Sequence, residues 1–422
     1  MIASAERNIS LYPIYRAASD AMAWLPIFFL FFSEHLTLPE VLLLEAVYYI
    51  TVVITEVPSG YLSDLVGRRR TLLLSCLAIL AAYICFLLSN EFTGFAAGQI
   101  LIAFSIAFRS GTDTALHYES LQALERTNEY GDREAIAGKY GFATTAVMAF
   151  AGGVLGSFDL AWPYYLSFLT AAISLYIVFS FTEPDKNLRE FSASGSGTDF
   201  IKQLGHCIAY LKHPLLMWLL LYTMYMITFV HIPHEFYQPY LRLLDDRNQL
   251  AGASAPLIAG LLFAITAIVA SIASTYSMLW QRRIGLLPLL TSAAALELVI
   301  IAAMAILLHP LIALLVILRS GPMAVVKAPV NAAIAPLIQN RHRATFLSIQ
   351  SLTGRLAFAT LLSGFSLLVT DSKNTDWSSL SLLLRVSTVA GLVGLLALHF
   401  TSKRLDTHTS CLLYTSPSPR DS

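Results

Sequence analysis

Arg16 and Asp20 stand four residues apart in a largely apolar stretch, a spacing that puts both on one face of a helix. Arg109 and Asp113 repeat the arrangement further along the chain. Glu56, Glu235 with His231 and His234, Glu297, Arg319, Lys327 and Arg355 also fall within apolar runs. An ionisable side chain at membrane depth is costly, so each of these needs a partner or serves a purpose. Desolvation favours a protonated carboxyl and a nearby arginine favours an ionised one, so a carboxyl whose surroundings alternate can bind and release a proton. On that ground Asp20, Glu56 and Asp113, with Arg16 and Arg109, are the candidates for proton coupling. The plainer reading is that Arg16–Asp20 and Arg109–Asp113 are self-satisfied pairs that fix packing. Arg319 and Lys327 have no carboxylate at helical spacing on their own stretch. Either they pair with carboxylates on neighbouring helices, or they form a positive surface that meets a polar or anionic solute. With Glu235 they are the candidates for a substrate cavity. His231 and His234 lie close to the predicted end of their stretch, where interface contacts satisfy such residues. Glu45, Glu119 and Glu297 read as packing or rim residues.

Other chemistry finds little purchase. There is no HExxH, no GxSxG, no P-loop and no paired-aspartate metal motif, so neither an enzyme nor an ATP-driven pump is expected. Cys76, Cys85, Cys207 and Cys411 form no CxxC pair and no Cys/His cluster, so no disulfide, metal site or other cofactor is expected. The formal net charge is zero and no basic domain stands apart, which argues against nucleic acid as a partner.

The elements that must position these charges follow from composition. Hydrophobic residues make up 56% of the 422 and charged residues 13%, about half of what a water-facing surface requires, and the mean hydropathy is +0.65. The partner of most of this surface is therefore the lipid bilayer. About 20 mostly apolar residues cross a bilayer core as a helix. Twelve stretches qualify, near 9–33, 38–62, 70–89, 92–122, 136–158, 161–181, 214–237, 255–280, 285–307, 310–337, 344–370 and 378–400. The N-terminus lacks the pattern of a removable signal peptide, so the first stretch is expected to stay as a helix. Arginines and lysines fall in alternate connections: Arg68, Arg69 and Arg70, then Arg126, Arg133 and Lys139, then the segment after the sixth stretch, then Arg282 and Arg283, Arg341 and Arg343, and Lys403 and Arg404. By the positive-inside rule these connections and both termini are cytoplasmic.

The longest break, 182–213, contains the flexible run Ser192-Ala193-Ser194-Gly195-Ser196-Gly197 and divides the chain into two halves of six spans. Phe108-Arg109-Ser110-Gly111 in span 4 is echoed by Leu318-Arg319-Ser320-Gly321 in span 10, the fourth helix of each half. The expected organisation is an N-terminal six-helix bundle over 1–181, a cytoplasmic linker over 182–213 and a C-terminal bundle over 214–404. The polar tail, 405–422, has no helical periodicity and is expected to be disordered and non-native.

The connection after span 2 reads Gly60-Tyr61-Leu62-Ser63-Asp64-Leu65-Val66-Gly67-Arg68-Arg69-Arg70. It resembles the GxxxDxxGRR/K signature of the major facilitator superfamily, at the place where that family carries it. The resemblance extends to about residue 404. It implies an all-α membrane protein of twelve transmembrane helices, in two pseudo-symmetric six-helix bundles around a cavity that opens alternately to each side. It further implies that Gly60, Asp64, Gly67, Arg68 and Arg69 form a conformational latch, with Gly60 at a close helix contact and Gly67 at a tight turn. The corresponding connection of the second half, Trp280-Gln281-Arg282-Arg283-Ile284-Gly285, lacks the acidic residue, so a second latch is expected to be degenerate. Gly152, Gly153 and Gly156 in span 5 match part of the family's antiporter signature, without its Gly-Pro step. Arg341 to Ser348 resembles a segment of prokaryotic, drug-efflux-like members. The reading is a multi-pass protein of the bacterial inner membrane, working as a monomer, that uses the proton gradient to export a small organic molecule. The alternative within the class is proton-coupled uptake of a polar or anionic solute. A reading from a different class is a non-transporting sensor on the same fold, which calls for an extra soluble domain that the sequence does not display.

Overall fold

A computed structural model describes residues 2–183, 208–334, 337–338, 340–369 and 376–413. The described residues are helical, joined by short turns. In the first half these are α1 (Ile2–Ser19), α2 (Phe28–Ser33), α3 (Leu38–Val66), α4 (Arg68–Leu88), α5 (Phe92–Arg109), α6 (Thr112–Gln122), α7 (Tyr130–Gly156) and α8 (Trp162–Ser180). The second half holds α9 (Pro214–Asp246), α10 (Ala255–Ile284), α11 (Leu286–Ile306), α12 (Pro310–Leu315), α13 (Gly321–Ile334), α14 (Asn340–Leu368) and α15 (Trp377–Leu413).

Local chemistry explains the boundaries. α3 starts where the Glu40 carboxylate accepts hydrogen bonds from the backbone N–H and the hydroxyl of Thr37, both at 2.8 Å. It ends one residue before α4, because Gly67 takes φ +112°, a conformation that side chains with a Cβ avoid. Gly285 makes the matching turn between α10 and α11 at φ +86°. The Arg-Ser-Gly echo falls where the fourth helix of each half is interrupted. α5 stops at Arg109 and α6 starts at Thr112, with Gly111 at φ +74°, while Arg319 and Ser320 separate a short 3-10 turn (Val316–Leu318) from α13. The repeat thus encodes a helix break in each half.

Ten stretches among the described residues are long and apolar enough to cross a membrane. The expected spans 1 and 5 fall below that apolarity. Span 1 carries Arg16 and Asp20 and is divided by a 3-10 turn at Leu25–Ile27; α7 carries Asp132, Arg133, Glu134 and Lys139. Both nonetheless pack within the bundle, which retains the arrangement of six helical spans in each half.

Two boundaries moved outward. α9 continues to Asp246 through Pro233 and Pro239, so His231, His234 and Glu235 lie inside the span, not near its end. Neighbouring helices re-satisfy the backbone groups that a proline frees in a membrane bundle. α15 carries on to Leu413, past residue 405 where the polar tail begins: no Gly or Pro intervenes, and an existing helix propagates cheaply. Residues 184–207 of the expected linker and 414–422 of the tail lie outside the described residues.

The halves meet along two seams, α3 against α14 and α7 against α10. On the side away from the termini they are also tied through span 1. Tyr237 donates from its hydroxyl to the carbonyl of Pro26 at 2.9 Å, and the Gln238 amide oxygen accepts from the Phe29 N–H at 2.8 Å. Phe28, Phe29, Phe31 and Phe32 are all buried there.

Candidate functional site

In the first half the break between α5 and α6 decides the charge pairing. On the plainer reading Arg109 and Asp113 pair on one continuous helix. With Ser110 and Gly111 between two helices they do not, and the arginines take partners across the bundle. Arg109 binds Asp20 at 2.9 Å, Arg16 binds Asp113 at 2.7 Å, and Arg16 also meets Asp20 at 3.4 Å. The result is an open chain, Arg109–Asp20–Arg16–Asp113, of two cations and two carboxylates joining spans 1 and 4. Gly141 on α7 lets Asp20 lie close: a Cβ there would be 2.5 Å from Asp20 Oδ2. Asp20→Asn leaves two guanidinium groups against one carboxylate. We expect it to cost about 1–3 kcal/mol, less than a fully buried pair, because the four side chains keep 4–26% of their surface. The midpoint of thermal unfolding in detergent measures this, and an unchanged midpoint would remove the quartet from the structural account.

The central site lies between the halves, in two adjoining cavities on successive turns of α9. The one nearer the sealed side has a volume of about 140 Å³ and is lined by Trp24, Glu45, Tyr49, Gln99, His234 and Glu235 among others. Glu45 is buried and accepts from Gln99 Nε2 at 2.7 Å. Glu235 is 1% exposed; its Oε1 accepts from the Tyr49 hydroxyl at 3.3 Å and its Oε2 has no hydrogen-bond partner. Among the described residues neither lysine nor arginine lines this cavity. Glu45 comes from the first half and Glu235 from the second. Glu45 had read as a packing residue, and only its position across from α9 reveals it.

The second cavity, about 360 Å³, opens toward the side of the termini, since its Lys327 and Asn331 are exposed. Thr223, His231, Gln350, Ser351 and Arg355 also line it, and among the described residues no carboxylate does. Arg355 reaches across the seam to Glu56 at 3.3 Å, the one ion pair between the halves among the described residues. Lys327 has no ion-pair partner among the described residues, so its charge is available to the cavity.

Arg319 does not belong to this site. It is 1% exposed, donates to Thr266 Oγ1 at 2.9 Å and lies over the Tyr237 ring, 4.5 Å from its centroid. Neither expected alternative applies to it: no carboxylate lies within ion-pair distance among the described residues, and it lines neither central cavity. The helix break points it into its own half. Glu297 is fully buried, and neither of its oxygens has a hydrogen-bond partner.

The Gly67 turn is more tightly held than its motif suggests. The Glu183 carboxylate, from the end of span 6, accepts from the backbone N–H groups of Arg68 (2.7 Å) and Arg69 (3.0 Å) and so caps α4. Arg68 Nε binds Glu119 at 2.9 Å and its Nη1 donates to Ser63, while Arg69 donates to the carbonyl of Phe179. Gly60 departs from expectation: a Cβ there would meet nothing within 4 Å, so it makes no close helix contact. Asp64 lies on α3, and its side chain is outside the described ones, as are those of Arg341, His342 and Arg343. A Cβ at Gly67 would lie 2.8 Å from the Glu183 carboxyl and force an unfavourable φ. Gly67→Ala is expected to lose about 1–3 kcal/mol of stability. A thermal midpoint equal to that of the parent protein would show that the turn relaxes freely.

No group of three or more His, Cys, Asp or Glu among the described residues is placed to hold a metal. A family model described as Major Facilitator Superfamily matches residues 16–361. No curated protein sequence matches the chain. Among solved structures it is similar to the nucleoside transporter NupG, with a TM-score of 0.77 and 14% identity over 94% of this chain and 99% of that one. It is similar to a bacterial homologue of the iron transporter ferroportin in an inward-facing state, with a TM-score of 0.66 and 18% identity over 94% and 98%. A D-xylose-proton symporter matches with a TM-score of 0.61 and 15% identity over 95% and 96%.

Proposed function

We propose, on the premise that this chain belongs to the Major Facilitator Superfamily, that it is a proton-coupled secondary transporter of a small organic anion. The chain is a multi-pass membrane protein, and its fold is that of a transporter moving a small molecule. The observation that carries the finer reading is the separation of charge at the centre. Among the described residues, one cavity holds Glu45 and Glu235 without a lysine or arginine, and the adjoining one holds Lys327 without an ion-pair partner, beside Arg355, which is paired with Glu56 across the seam.

At membrane depth a carboxyl group with no counter-cation either carries a proton or meets a cation from solution. Glu45 and Glu235 come from opposite halves, so a rocking motion of the halves changes the surroundings of both. Lys327 supplies the solute's counter-charge, with Thr223, Asn331 and Gln350 as hydrogen-bonding neighbours. Moving one elementary charge against the membrane potential costs about 2.3 kcal/mol per 100 mV, and a proton carried with an anion cancels that term. The quartet of Arg16, Asp20, Arg109 and Asp113 holds spans 1 and 4 in register beneath this site. The arginine-rich connections favour a bacterial inner membrane with both termini cytoplasmic. With the opposite side sealed by Tyr237 and Gln238, the described state is then open to the cytoplasm. A proton-coupled sugar symporter of the same fold provides a precedent for the coupling, not for the solute. Export by proton exchange remains the second reading. It is favoured by the partial antiporter match at Gly152, Gly153 and Gly156, of which Gly153 and Gly156 face α10 and Gly152 faces Ala23 of span 1, and it differs in that proton and solute cross in opposite directions.

The test is proton flux in liposomes holding the purified protein, under an imposed pH gradient, with anionic, neutral and cationic solutes. An anionic solute is expected to dissipate the gradient, and Lys327→Gln to raise its KM by about tenfold or more, the weight of one charge-assisted hydrogen bond. Response to cationic solutes alone, or to none, overturns the proposal.

A further inference from the structure

A lateral groove in the second half stands apart from the transport path. α10 and α11 diverge from the Gly285 turn, and between them and α13 lies an apolar cavity of about 510 Å³. Its outer walls are side chains that face the bilayer: Ile272 is 56% exposed, Trp280 41%, Ile284 50% and Leu296 42%. Its floor is the buried trio Leu289, Ala293 and Val325. The groove runs from the middle of the span, at Gly321, to the membrane surface on the side of the termini, where α10 ends. Arg282 and Arg283 occupy that end, both exposed, with no ion-pair partner among the described residues. Trp280 lies one turn inside them, at the depth where tryptophan anchors to the headgroup region.

We infer that this groove is a binding site for an anionic phospholipid, with an acyl chain between α10, α11 and α13 and the phosphate on Arg282 and Arg283. Arg282 and Arg283 stand on α10 between Trp280 and Ile284, which line the trough, and the order along α10 matches that of a lipid, chain toward the bilayer centre and headgroup at the surface. A central solute would need several polar contacts, and this lining offers only Ser292 and the Trp280 indole N–H. Basic residues at the surface end of a cleft between membrane helices select acidic headgroups. At the Gly67 turn of the first half the matching groups are engaged within the protein: Glu183 accepts from the backbone N–H groups of Arg68 and Arg69, and the Arg69 side chain donates to the Phe179 carbonyl.

Native mass spectrometry of the purified full-length protein, titrated with phosphatidylglycerol or phosphatidylcholine, reads the preference directly. The wild type should retain phosphatidylglycerol in preference, and R282Q/R283Q should lose about fivefold of that preference for each arginine removed. The two arginines are exposed, so this variant keeps its core packing. In parallel, phosphatidylglycerol brominated along the acyl chain should quench the part of the tryptophan fluorescence that is absent from W280F. Equal retention of the two lipids, or a preference untouched in R282Q/R283Q, overturns the inference. So does bromine quenching that is the same in W280F as in the wild type.

Discussion

Glu235→Gln is expected to reduce proton-driven accumulation to the level of protein-free liposomes while leaving solute exchange in place. Glutamine preserves the size of the side chain and can still accept from the Tyr49 hydroxyl. It cannot take up a proton. If Glu235 carries the coupling proton, the variant locks the site in its neutral form. Exchange of labelled for unlabelled solute, which needs no net proton movement, should then continue. Loss of both activities would assign Glu235 to solute binding or folding, and retention of both would move the coupling to Glu45, Asp20, Glu56 or Asp113. The outcome is separable from that of Lys327→Gln, because the two residues line different cavities.

Gly153→Leu should have the second largest effect, by blocking the seam between the halves. A Cβ at Gly153 would lie 2.8 Å from the carbonyl oxygen of Pro256 and 2.9 Å from the Cα of Gly260. Gly260 is equally confined, with the Cα of Gly153 at 2.7 Å from its own would-be Cβ. The obstacles are backbone atoms, which cannot rotate away. Small residues in membrane helices allow this kind of approach, and filling it forces the helices apart. We expect a loss of stability of about 1–3 kcal/mol or more, and a shift away from the state sealed by Tyr237 and Gln238. Spin labels on the first and second halves, placed on the sealed side, should report a longer distance. A variant with wild-type distance, thermal midpoint and transport would show that the α7–α10 seam has slack.

Much of the architecture was legible from short-range patterns. Apolar runs of span length, the alternation of arginine-rich connections and the Gly67 and Gly285 turns depend on composition and on backbone geometry at single residues. The Arg-Ser-Gly echo was visible too, although its meaning as a helix break needed the fold. Helical spacing locates neighbours on one helix, and it succeeded for Arg16 and Asp20 because the last turn of α1 holds Asp20 in place, its N–H donating to the Arg16 carbonyl. The plainer reading, in which Arg109 and Asp113 pair, does not apply because two residues between helices rotate the second relative to the first. Helical spacing also placed His231, His234 and Glu235 at a helix end, whereas packing carries α9 through two prolines.

What the sequence by itself determined is the list of charges at membrane depth and the helices that carry them. What only the tertiary structure decided is which charge faces which. Glu45 became a site residue because α3 turns it toward α9. Glu183 became the cap of α4 across 115 residues of chain. Arg319 was withdrawn from the cavity by its stacking on Tyr237. The physical reason is common to all three: the rotation of a membrane helix about its own axis is set by the neighbours it packs against, and no local pattern in the chain records them.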